Sequence, residues 1–383
     1  MTESFATFEA VMDHAVGLAA RGEGRVEPNP AVGAVVVDGD LRVLGAGWHA
    51  EFGGVHAEVA ALESAGESAR GATLFVTLEP CCHHGQTPPC TEAILASGVA
   101  RVVVGLRDPS PHAAGSGLSI LESSGIEVEV GVGAEAVARL NAPFLHLLAT
   151  GRPWVHAKWA MTLDGRIATS AGDSQWISSE SSRELVHRLR GRVDAVVVGI
   201  GTALADDPLL TARPAGPRIA TRVVLDTDAR LSIESKLVRS ACDGPVMVVC
   251  SQAADAERVS GLEAAGVEVV GCGLAESGRI EVGGLLEELG IRRWTNVLFE
   301  GGSEVLGSLV DGDWIDEAHV FLAPTLIGGR GALGAVGGDG RARIVDAARL
   351  ECVETTCVGR DVYWRGVRAG SGSGAGRGVS RDC

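Results

Sequence analysis

The sequence predicts an α/β protein of two domains, and three observations lead to this prediction. The chain has 383 residues, which is long for a single ordinary hydrophobic core. Short apolar stretches that suit strands alternate with stretches whose apolar residues recur at helical spacing, as in layered α/β domains. Gly151-Arg152-Pro153 interrupts this alternation, so the predicted domains are residues 1–151 and 152–368. A tail, 369–383, is rich in Gly and Ser and is expected to be disordered.

The first domain is predicted to alternate helices and strands throughout. Apolar residues from Phe5 to Leu18 recur at helical spacing and stop before two glycines, which predicts a first helix over 5–21. Asp38-Gly39-Asp40 predicts the turn of a hairpin between the next two strands. The strands are predicted over 32–37, 41–48, 73–78, 102–106 and 127–130, and the later helices over 56–64, 89–97, 118–124 and 134–149.

The second domain is predicted to contain a buried sheet. The stretch from Ala195 to Val198 is apolar throughout, as in a strand that is covered on both faces. A long polar stretch, 162–182, precedes it, and loops of this length are usually functional or mobile. Strands are predicted over 154–161, 195–198, 222–225, 246–250, 267–270, 297–300, 317–322, 351–355 and 361–364, and helices over 182–190, 253–265, 283–290 and 303–309.

Charge restricts the class of partner. The formal net charge is −16, and residues 1–151 alone hold 18 Asp and Glu against 7 Arg and no Lys. A surface that binds nucleic acid needs basic residues to hold phosphates. The negative first half therefore favours a small free substrate over nucleic acid.

The sequence also indicates a compartment. No apolar run approaches the roughly 20 residues that span a bilayer, and acidic residues occupy the N-terminal region where a signal peptide is basic. Nine cysteines, three of them clustered, suit reduced thiols and a metal better than a disulfide framework. We therefore expect a cytoplasmic protein with no membrane partner.

The strongest chemical signal is a pattern of His, Glu and Cys between residues 56 and 90. His56, Cys81 and Cys90 can fill three positions of a tetrahedral zinc site and leave the fourth for water. Zinc lowers the pKa of such a water to about 7, and Glu58 can move protons without binding the metal. The pattern predicts hydrolytic removal of an amino group from a heterocycle. Any one of these residues alone would more often be an ordinary half-buried histidine or a loop thiol.

Two glycine-containing segments are candidates for a cofactor site. Gly301-Gly302-Ser303 separates a predicted strand from a helix, and the backbone N–H groups at such a junction suit a cofactor phosphate, although close helix packing explains the same glycines. Gly199-Ile200-Gly201 is a weaker signal and is more often a turn. Since no third glycine completes the Rossmann fingerprint, a standard dinucleotide fold is not supported.

Several motifs together resemble the bifunctional deaminase/reductase family of riboflavin biosynthesis. In the first domain they are Pro28-Asn29-Pro30, His56-Ala57-Glu58 and the stretch 78–90, in which eight residues separate the two cysteines. In the second domain they are Leu-Asp-Gly-Arg at 163–166, Ser-Gln-Trp-Ile at 174–177, Leu-Ala-Asp-Asp-Pro at 204–208 and Phe-Glu-Gly-Gly at 299–302. The resemblance covers about residues 5–368. It implies a cytidine-deaminase-like three-layer domain followed by a dihydrofolate-reductase-like α/β domain.

The resemblance also implies two reactions and their cofactors. The first domain, with one zinc ion, replaces the 2-amino group of 2,5-diamino-6-ribosylamino-4(3H)-pyrimidinone 5′-phosphate with oxygen, and Glu58 carries the proton. The second domain transfers a hydride from NADPH and converts the ribosyl group of 5-amino-6-(5-phosphoribosylamino)uracil to ribityl. The partners are thus small phosphorylated pyrimidines, and we expect a homo-oligomer, a dimer or a tetramer.

Matching the family's motifs position by position assigns the contacts. The residues matched to the deaminase substrate are Asn29, His49 and His83, and those matched to the reductase substrate are Ser174, Arg190, Leu210, Arg213 and Glu300. The residues matched to the reductase cofactor are Ala160, Trp176, Thr202, Asp206, Thr227, Gly302 and Ser303. Arg190 and Arg213 suit phosphate because a guanidinium fork matches its geometry.

Several positions depart from the family pattern, and the mildest departure is Thr227, where serine also occurs. Gln86 stands where a basic residue is expected to contact the substrate phosphate, and Glu27 is acidic near the same opening of the deaminase site. Cys82 stands where serine is usual and could compete with Cys81 for the metal. Two other classes remain open: a nucleoside or nucleic-acid deaminase with an accessory domain, and a zinc-stabilised binding module without catalysis. The acidic first half disfavours the former, and the lack of a fourth good protein ligand disfavours the latter.

Overall fold

The computed structural model describes residues 3–84, 88–110 and 115–369. The chain divides into two compact units, Met1–Thr150 and Gly151–Cys383, and each is a layered α/β structure as predicted. Among the described residues, no helix is both long and apolar enough to cross a membrane. The predictions for Gln86 and for the tail from residue 370 onward fall outside the described residues.

The first unit is built on a five-stranded sheet in the order β2-β1-β3-β4-β5. β1 is antiparallel to β2 and β3, whereas β3, β4 and β5 are parallel. The strands are β1 (Gly33–Val37), β2 (Val43–Trp48), β3 (Thr73–Leu78), β4 (Arg101–Leu106) and β5 (Glu127–Val130). The helices are α1 (Phe8–Ala19), α2 (Ala57–Ala65), α3 (Cys90–Ser97), α4 (Ser116–Ser123), α5 (Ala134–Leu140) and α6 (Ala142–Thr150).

Helices cover both faces of this sheet, which gives three layers. Along β3, Phe75 packs against α1 and α5, whereas Leu74 and Val76 pack against α2, α3 and α4. Side chains of a strand alternate between faces, so a strand that is apolar at every position is buried on both sides. The Thr7 hydroxyl accepts a hydrogen bond from the Ala10 backbone N–H at 3.3 Å and caps α1.

Two glycines of β2 let α2 lie directly against the sheet. A Cβ atom on Gly45 would lie 2.4 Å from the carbonyl oxygen of Ala61, and one on Gly47 would lie 2.6 Å from the backbone nitrogen of Ala61. Any larger residue would push the helix away. The close approach fixes the start of α2, the helix that follows His56.

The second unit is built on a nine-stranded sheet in the order β10-β9-β8-β7-β11-β6-β12-β14-β13. The first seven strands of this order are parallel, and β14 is antiparallel to both of its neighbours, β12 and β13. The strands are β6 (Trp154–Thr162), β7 (Ala195–Gly199), β8 (Thr221–Leu225), β9 (Val246–Ser251), β10 (Glu268–Cys272), β11 (Asn296–Phe299), β12 (Glu317–Ala323), β13 (Leu350–Val358) and β14 (Asp361–Arg368). The helices are α7 (Glu180–Arg190), α8 (Ile200–Asp206), α9 (Lys236–Arg239), α10 (Ala256–Ala264), α11 (Val282–Ile291) and α12 (Ser303–Asp311).

Most predicted elements occur within a few residues of their predicted bounds, but two predictions were wrong. The helix predicted over 134–149 is two helices, because Asn141 leaves helical geometry between them. Its side-chain oxygen accepts from the Ala31 N–H at 2.8 Å, and its side-chain nitrogen donates to the Ala31 carbonyl at 3.0 Å. Residues 199–201 were interpreted as more often a turn, but Gly199 ends β7 and the other two residues begin α8, whose Ala203 is buried in the core.

Candidate active sites

The first candidate site lies where β3 ends and where α2 and α3 begin. His56 directly precedes α2, Cys81 follows β3 by three residues, and Cys90 is the first residue of α3. The His56 Nδ1 atom lies 3.1 Å from the Cys90 Sγ atom and 3.5 Å from the Cys81 Sγ atom. One ligand atom from each residue lies within 4.8 Å of the others, so a single ion can contact all three.

This donor set fits zinc. Two thiol sulfurs and one imidazole nitrogen form a soft set of the kind that zinc prefers. The pKa of Cys81 is lowered to about 4 by hydrogen bonds from the Cys90 thiol, from His56 and from the Cys90 backbone N–H, whereas burial and Cys81 raise the pKa of Cys90. These hydrogen bonds favour the thiolate form of Cys81, which is the form that binds a metal. Cys82, the competing ligand, is not part of the cluster.

A buried carboxylate lies beside these three residues. Glu58 is in the first turn of α2, only 4% exposed, and burial raises its pKa to about 6. Glu58 is not one of the clustered ligands. The start of α2 therefore supplies both an imidazole for a metal and a separate group that can carry a proton.

The residues matched to the deaminase substrate belong to loops at the same edge of the sheet. Because β1 runs antiparallel to both β3 and β2, the loop before β1, which holds Asn29, and the loop after β2, which holds His49, lie near the end of β3. The His49 Nδ1 atom donates to the Val55 carbonyl at 3.1 Å, and the ring lies edge-on to His56 at 5.3 Å. Its Nε2 atom is buried and has no hydrogen-bond partner within the described ranges. His83 is exposed.

A second buried carboxylate organises the loop after β4. The Glu79 Oε2 atom accepts hydrogen bonds from the backbone N–H groups of Asp108 at 3.3 Å and Gly115 at 3.2 Å. Asp108 of this loop is half-buried, and burial raises its pKa. The sequence therefore did not reveal that Glu79 holds this loop next to Cys81.

The second candidate site lies where the parallel strands of the second unit end. Glu300 directly follows β11, and its carboxylate accepts two hydrogen bonds from Arg190, at 2.6 Å from Nε and 2.9 Å from Nη2. Lys158 of β6 lies 3.7 Å from the same carboxylate. Burial alone would raise the pKa of Glu300, but Arg190 and Lys158 lower it to about 2. The site therefore contains one buried anion between two cations.

The two arginines matched to substrate phosphate differ in their surroundings. Arg190 donates to Glu300 and also to the Thr211 carbonyl at 3.2 Å, so its guanidinium already has partners within the protein. Arg213 is exposed and makes no ion pair with any described residue. Burial, Arg190 and Arg213 together lower the pKa of His187, which places Arg213 near this cluster. Arg213 is therefore the cation that remains available to a phosphate.

The residues matched to the cofactor come from separate loops along this edge. Thr202 and Asp206 lie in α8 after β7, Thr227 lies two residues after β8, and Gly302 and Ser303 lie at the start of α12. A Cβ atom on Gly302 would lie 3.1 Å from the Thr202 hydroxyl, so these two loops meet. No side chain caps the α12 N-terminus, which leaves backbone N–H groups for an anion.

Four other matched residues are spread around the same edge. The Ser174 hydroxyl donates to the Asp206 carboxylate at 3.5 Å, which joins a predicted substrate contact to a predicted cofactor contact. Trp176 is 66% exposed, and the Arg183 guanidinium lies 4.6 Å from its ring centre. Ala160 lies on β6, and Leu210 is buried with a φ of 55°.

Lys158 is the functional candidate that sequence reasoning missed. The only signal was its rarity, since the chain has two lysines against 31 arginines. Rarity alone did not reveal that its ammonium group lies beside Glu300.

Comparison with known proteins relates both units to one family. Residues 6–106 match the family model of the cytidine and deoxycytidylate deaminase zinc-binding region, and residues 153–364 match that of the RibD C-terminal domain. The riboflavin biosynthesis protein RibD of Bacillus amyloliquefaciens is 40% identical over 355 residues, which cover 92% of this chain and 94% of the relative. The RibD protein of Escherichia coli K12 is 36% identical over 367 residues, which cover 92% and 97%.

Solved structures show the same relationship. An Acinetobacter baumannii RibD structure has a TM-score of 0.82 at 35% identity, covering 94% of this chain and 98% of that one. A Thermotoga maritima diaminohydroxyphosphoribosylaminopyrimidine deaminase/5-amino-6-(5-phosphoribosylamino)uracil reductase has a TM-score of 0.81 at 37% identity with the same coverage. The chain therefore belongs to the RibD family of riboflavin biosynthesis, whose members combine a zinc-binding deaminase domain with an NADPH-dependent reductase domain.

Proposed function

We propose that residues 1–151 and 152–368 of this chain each catalyse one step of riboflavin biosynthesis. The first part would hydrolyse the 2-amino group of 2,5-diamino-6-ribosylamino-4(3H)-pyrimidinone 5′-phosphate. The second would reduce the ribosyl group of the product, 5-amino-6-(5-phosphoribosylamino)uracil, to ribityl with NADPH. The observation that carries the proposal is the cluster of His56, Cys81 and Cys90 with the buried Glu58 beside it.

The deaminase step needs a nucleophilic water and a proton carrier. Zinc held by His56, Cys81 and Cys90 would supply a Lewis acid that makes water nucleophilic at neutral pH. The Glu58 carboxylate accepts a proton from the attacking water and passes it to the amino nitrogen. Oxygen adds at C2, the C2–N bond breaks, and one water is consumed for each ammonia released.

The substrate ring would be held by residues of three loops, which precede β1, follow β2 and follow β3. The buried Nε2 atom of His49 lacks a donor within the described ranges, and a pyrimidinone ring can supply one through its N–H groups. Asn29 and His83 are the other matched contacts, and their amide and imidazole groups can donate or accept hydrogen bonds to the ring and its substituents.

The reductase step needs a hydride, a proton and an anchor for the phosphate. NADPH would bind along the strand ends, with a phosphate at the uncapped start of α12. NADPH would supply a hydride to C1′ of the open-chain imine form of the ribosylamino group, and the imine nitrogen would gain a proton. Lys158, a mostly buried ammonium group beside Glu300, is placed to supply hydrogen bonds or a proton in this pocket, and Arg213 would hold the 5′-phosphate.

The substitution Glu58→Gln tests the deaminase assignment. Ammonia release should fall by at least ~10²-fold, because an amide cannot carry the proton. Zinc content and NADPH-dependent reduction should stay at the wild-type level. Glu63→Gln is the matched control, since Glu63 is an exposed carboxylate on the same helix, and it should change neither activity.

Near wild-type ammonia release by the zinc-loaded Glu58→Gln protein would refute the mechanism. Ammonia release from cytidine or RNA, and not from the phosphorylated pyrimidine, would instead support a nucleoside or nucleic-acid deaminase. A protein that binds zinc and releases no ammonia from either substrate would be a binding module.

We further propose that the protein works in the cytoplasm as a homo-oligomer. All eight described cysteines are free, which suits a reducing compartment. Light scattering at several protein concentrations measures the number of copies, and a monomer at every concentration would refute the oligomer.

A further inference from the structure

A second group of metal-type ligands lies in the second unit, near the start of β6. His156 of β6 and Glu317 and His319 of β12 each offer a ligand atom, and these atoms lie within 4.8 Å of one another. The two strands pair in parallel with Glu317 opposite His156, so the three side chains share one face of the sheet. The loops matched to the cofactor follow the carboxyl ends of β7, β8 and β11, which run parallel to β6 and β12, so they lie at the opposite edge of the sheet from this cluster. Neither of the two proposed reactions uses this cluster.

A chain of hydrogen bonds fixes the protonation of His156. The Thr295 hydroxyl donates to the Asp194 carboxylate at 3.1 Å, so its oxygen is left to accept from the Asn296 side-chain nitrogen at 3.0 Å. The Asn296 side-chain oxygen must then face His156, and it lies 3.0 Å from Nε2. The hydrogen of neutral His156 is therefore on Nε2, and Nδ1 presents a bare lone pair to the cluster.

His319 can present a lone pair to the same point. Its Nε2 atom lies 3.2 Å from the His156 Nδ1 atom and 3.3 Å from a Glu317 carboxylate oxygen. Its Nδ1 atom lies 2.8 Å from the Tyr363 hydroxyl, which can either donate or accept. When Tyr363 accepts, both imidazoles and the carboxylate direct lone pairs at one point, and such a set is stable only around a cation.

We propose that His156, His319 and Glu317 bind a second divalent transition metal ion of the zinc class. At a Zn–N distance of about 2.0–2.1 Å, two nitrogen ligands of a tetrahedral ion lie about 3.3 Å apart, close to the separation found here. Each ligand also has an outer partner: Asn296 for His156, Tyr363 for His319, and Trp154 for Glu317. Metal-binding histidines usually have such partners.

The positive charge of Arg365 would repel the ion unless the guanidinium pairs with an anion other than Glu317. Its guanidinium donates to the Glu317 carboxylate, and a divalent cation there would add positive charge beside it. Glu354 lies directly opposite Arg365 on β13, and the Arg365 side chain is 36% exposed. The arginine can therefore turn to Glu354 and release one carboxylate oxygen. The bound ion would then link β6 to β12 and stabilise this part of the sheet.

The test counts metal in the full-length chain. After equilibration with excess Zn²⁺ and gel filtration, we expect two zinc ions per chain in the wild type and one in His319→Gln or His156→Gln. The control His14→Gln, at a partly buried histidine that pairs with Glu3 outside both clusters, should keep two. Added Zn²⁺ should also raise the melting temperature of the wild type more than that of either cluster variant.

Cobalt separates the two sites spectroscopically. The site with Cys81 and Cys90 should give a thiolate-to-cobalt charge-transfer band, whereas the second site has no sulfur and should give only visible d–d bands. His319→Gln should keep the thiolate band and lose part of the d–d intensity.

One zinc ion per chain in the saturated wild type would mean that the cluster is a hydrogen-bonded network only, and would overturn the proposal. Two zinc ions retained in both cluster variants would also overturn it. If His319→Gln does not fold, His156→Gln and the wild-type count decide. None of these outcomes depends on deaminase or reductase activity.

Discussion

Replacing Glu300 by glutamine tests the electrostatic centre of the reductase unit. The carboxylate lies between Arg190 and Lys158, whose side chains are only 13% and 16% exposed. Glutamine keeps the size of the side chain but leaves two mostly buried cations without a counter-ion. Removing one partner of a buried ion pair costs about 3–5 kcal/mol, and we expect a loss of free energy of unfolding of that size.

Tryptophan fluorescence during urea unfolding measures this loss of free energy of unfolding in the reductase unit. Six of the seven tryptophans follow residue 151, so the signal comes mainly from the reductase unit. The control is Glu287→Gln, which breaks a pair with Arg152 in which the glutamate is 62% exposed and which should cost at most about 1 kcal/mol. Adding Lys158→Met to Glu300→Gln should recover part of the loss, because one unpaired cation is then removed.

Equal effects of Glu300→Gln and Glu287→Gln would refute this reasoning. Solvent would then screen the charges of Glu300, Arg190 and Lys158 as it screens those of a surface ion pair. A double variant with Lys158→Met that is no more stable than Glu300→Gln alone would show that unpaired charge is not the cause of the loss.

The phosphate site, the dependence of stability on pH and the packing of α2 each provide a further expectation. Arg213→Met should raise the reductase KM for its phosphorylated substrate about tenfold to a hundredfold, because each charge-assisted bond contributes roughly 1.5–3 kcal/mol. The KM for NADPH should not change, and a selective loss of NADPH affinity would assign Arg213 to the cofactor. The pKa of Glu300 is lowered from 4.5 to about 2, so its contribution to stability is present above about pH 5 and is lost as pH falls toward 2. Urea unfolding at stepped pH should show a smaller loss in Glu300→Gln than in the wild type, because Glu317, whose pKa is also lowered to about 2, remains in the variant. Gly47→Ala should lower zinc content and ammonia release and leave reduction intact, because the added Cβ atom would meet α2; wild-type zinc content in this variant would contradict the packing argument.

The zinc cluster could be predicted from the sequence because its chemistry fixes both residue types and local spacing. His56 and Glu58 are two residues apart at a helix start, and few roles other than metal-assisted catalysis combine them with Cys81 and Cys90. Most helices and strands could also be predicted, because the spacing of apolar residues along the chain is a local property. The break between α5 and α6 could not, because Asn141 is held by Ala31, 110 residues earlier in the chain.

The reductase cluster and the second histidine cluster depend on contacts that the sequence does not show. Glu300 lies 110 residues from Arg190, and His319 lies 163 residues from His156. His319 meets His156 because β12 lies beside β6, and Glu300 meets Lys158 because β11 lies on the other side of β6. The order of the strands follows from tertiary packing, and no local motif records it.

The cluster of Glu300, Arg190 and Lys158 explains why the two arginines matched to phosphate differ. These arginines are Arg190 and Arg213. Glu300 cancels one of the two charges of Arg190 and Lys158, so the buried trio has a net charge of +1. Arg213 raises the total to +2, and a phosphate monoester carries about −1.5 to −2 at neutral pH. The positive charge of the pocket thus matches its substrate only when Arg213 is counted. Because Arg190 is held by Glu300 and Thr211, we propose that it fixes the shape of the pocket and that the exposed Arg213 binds the phosphate.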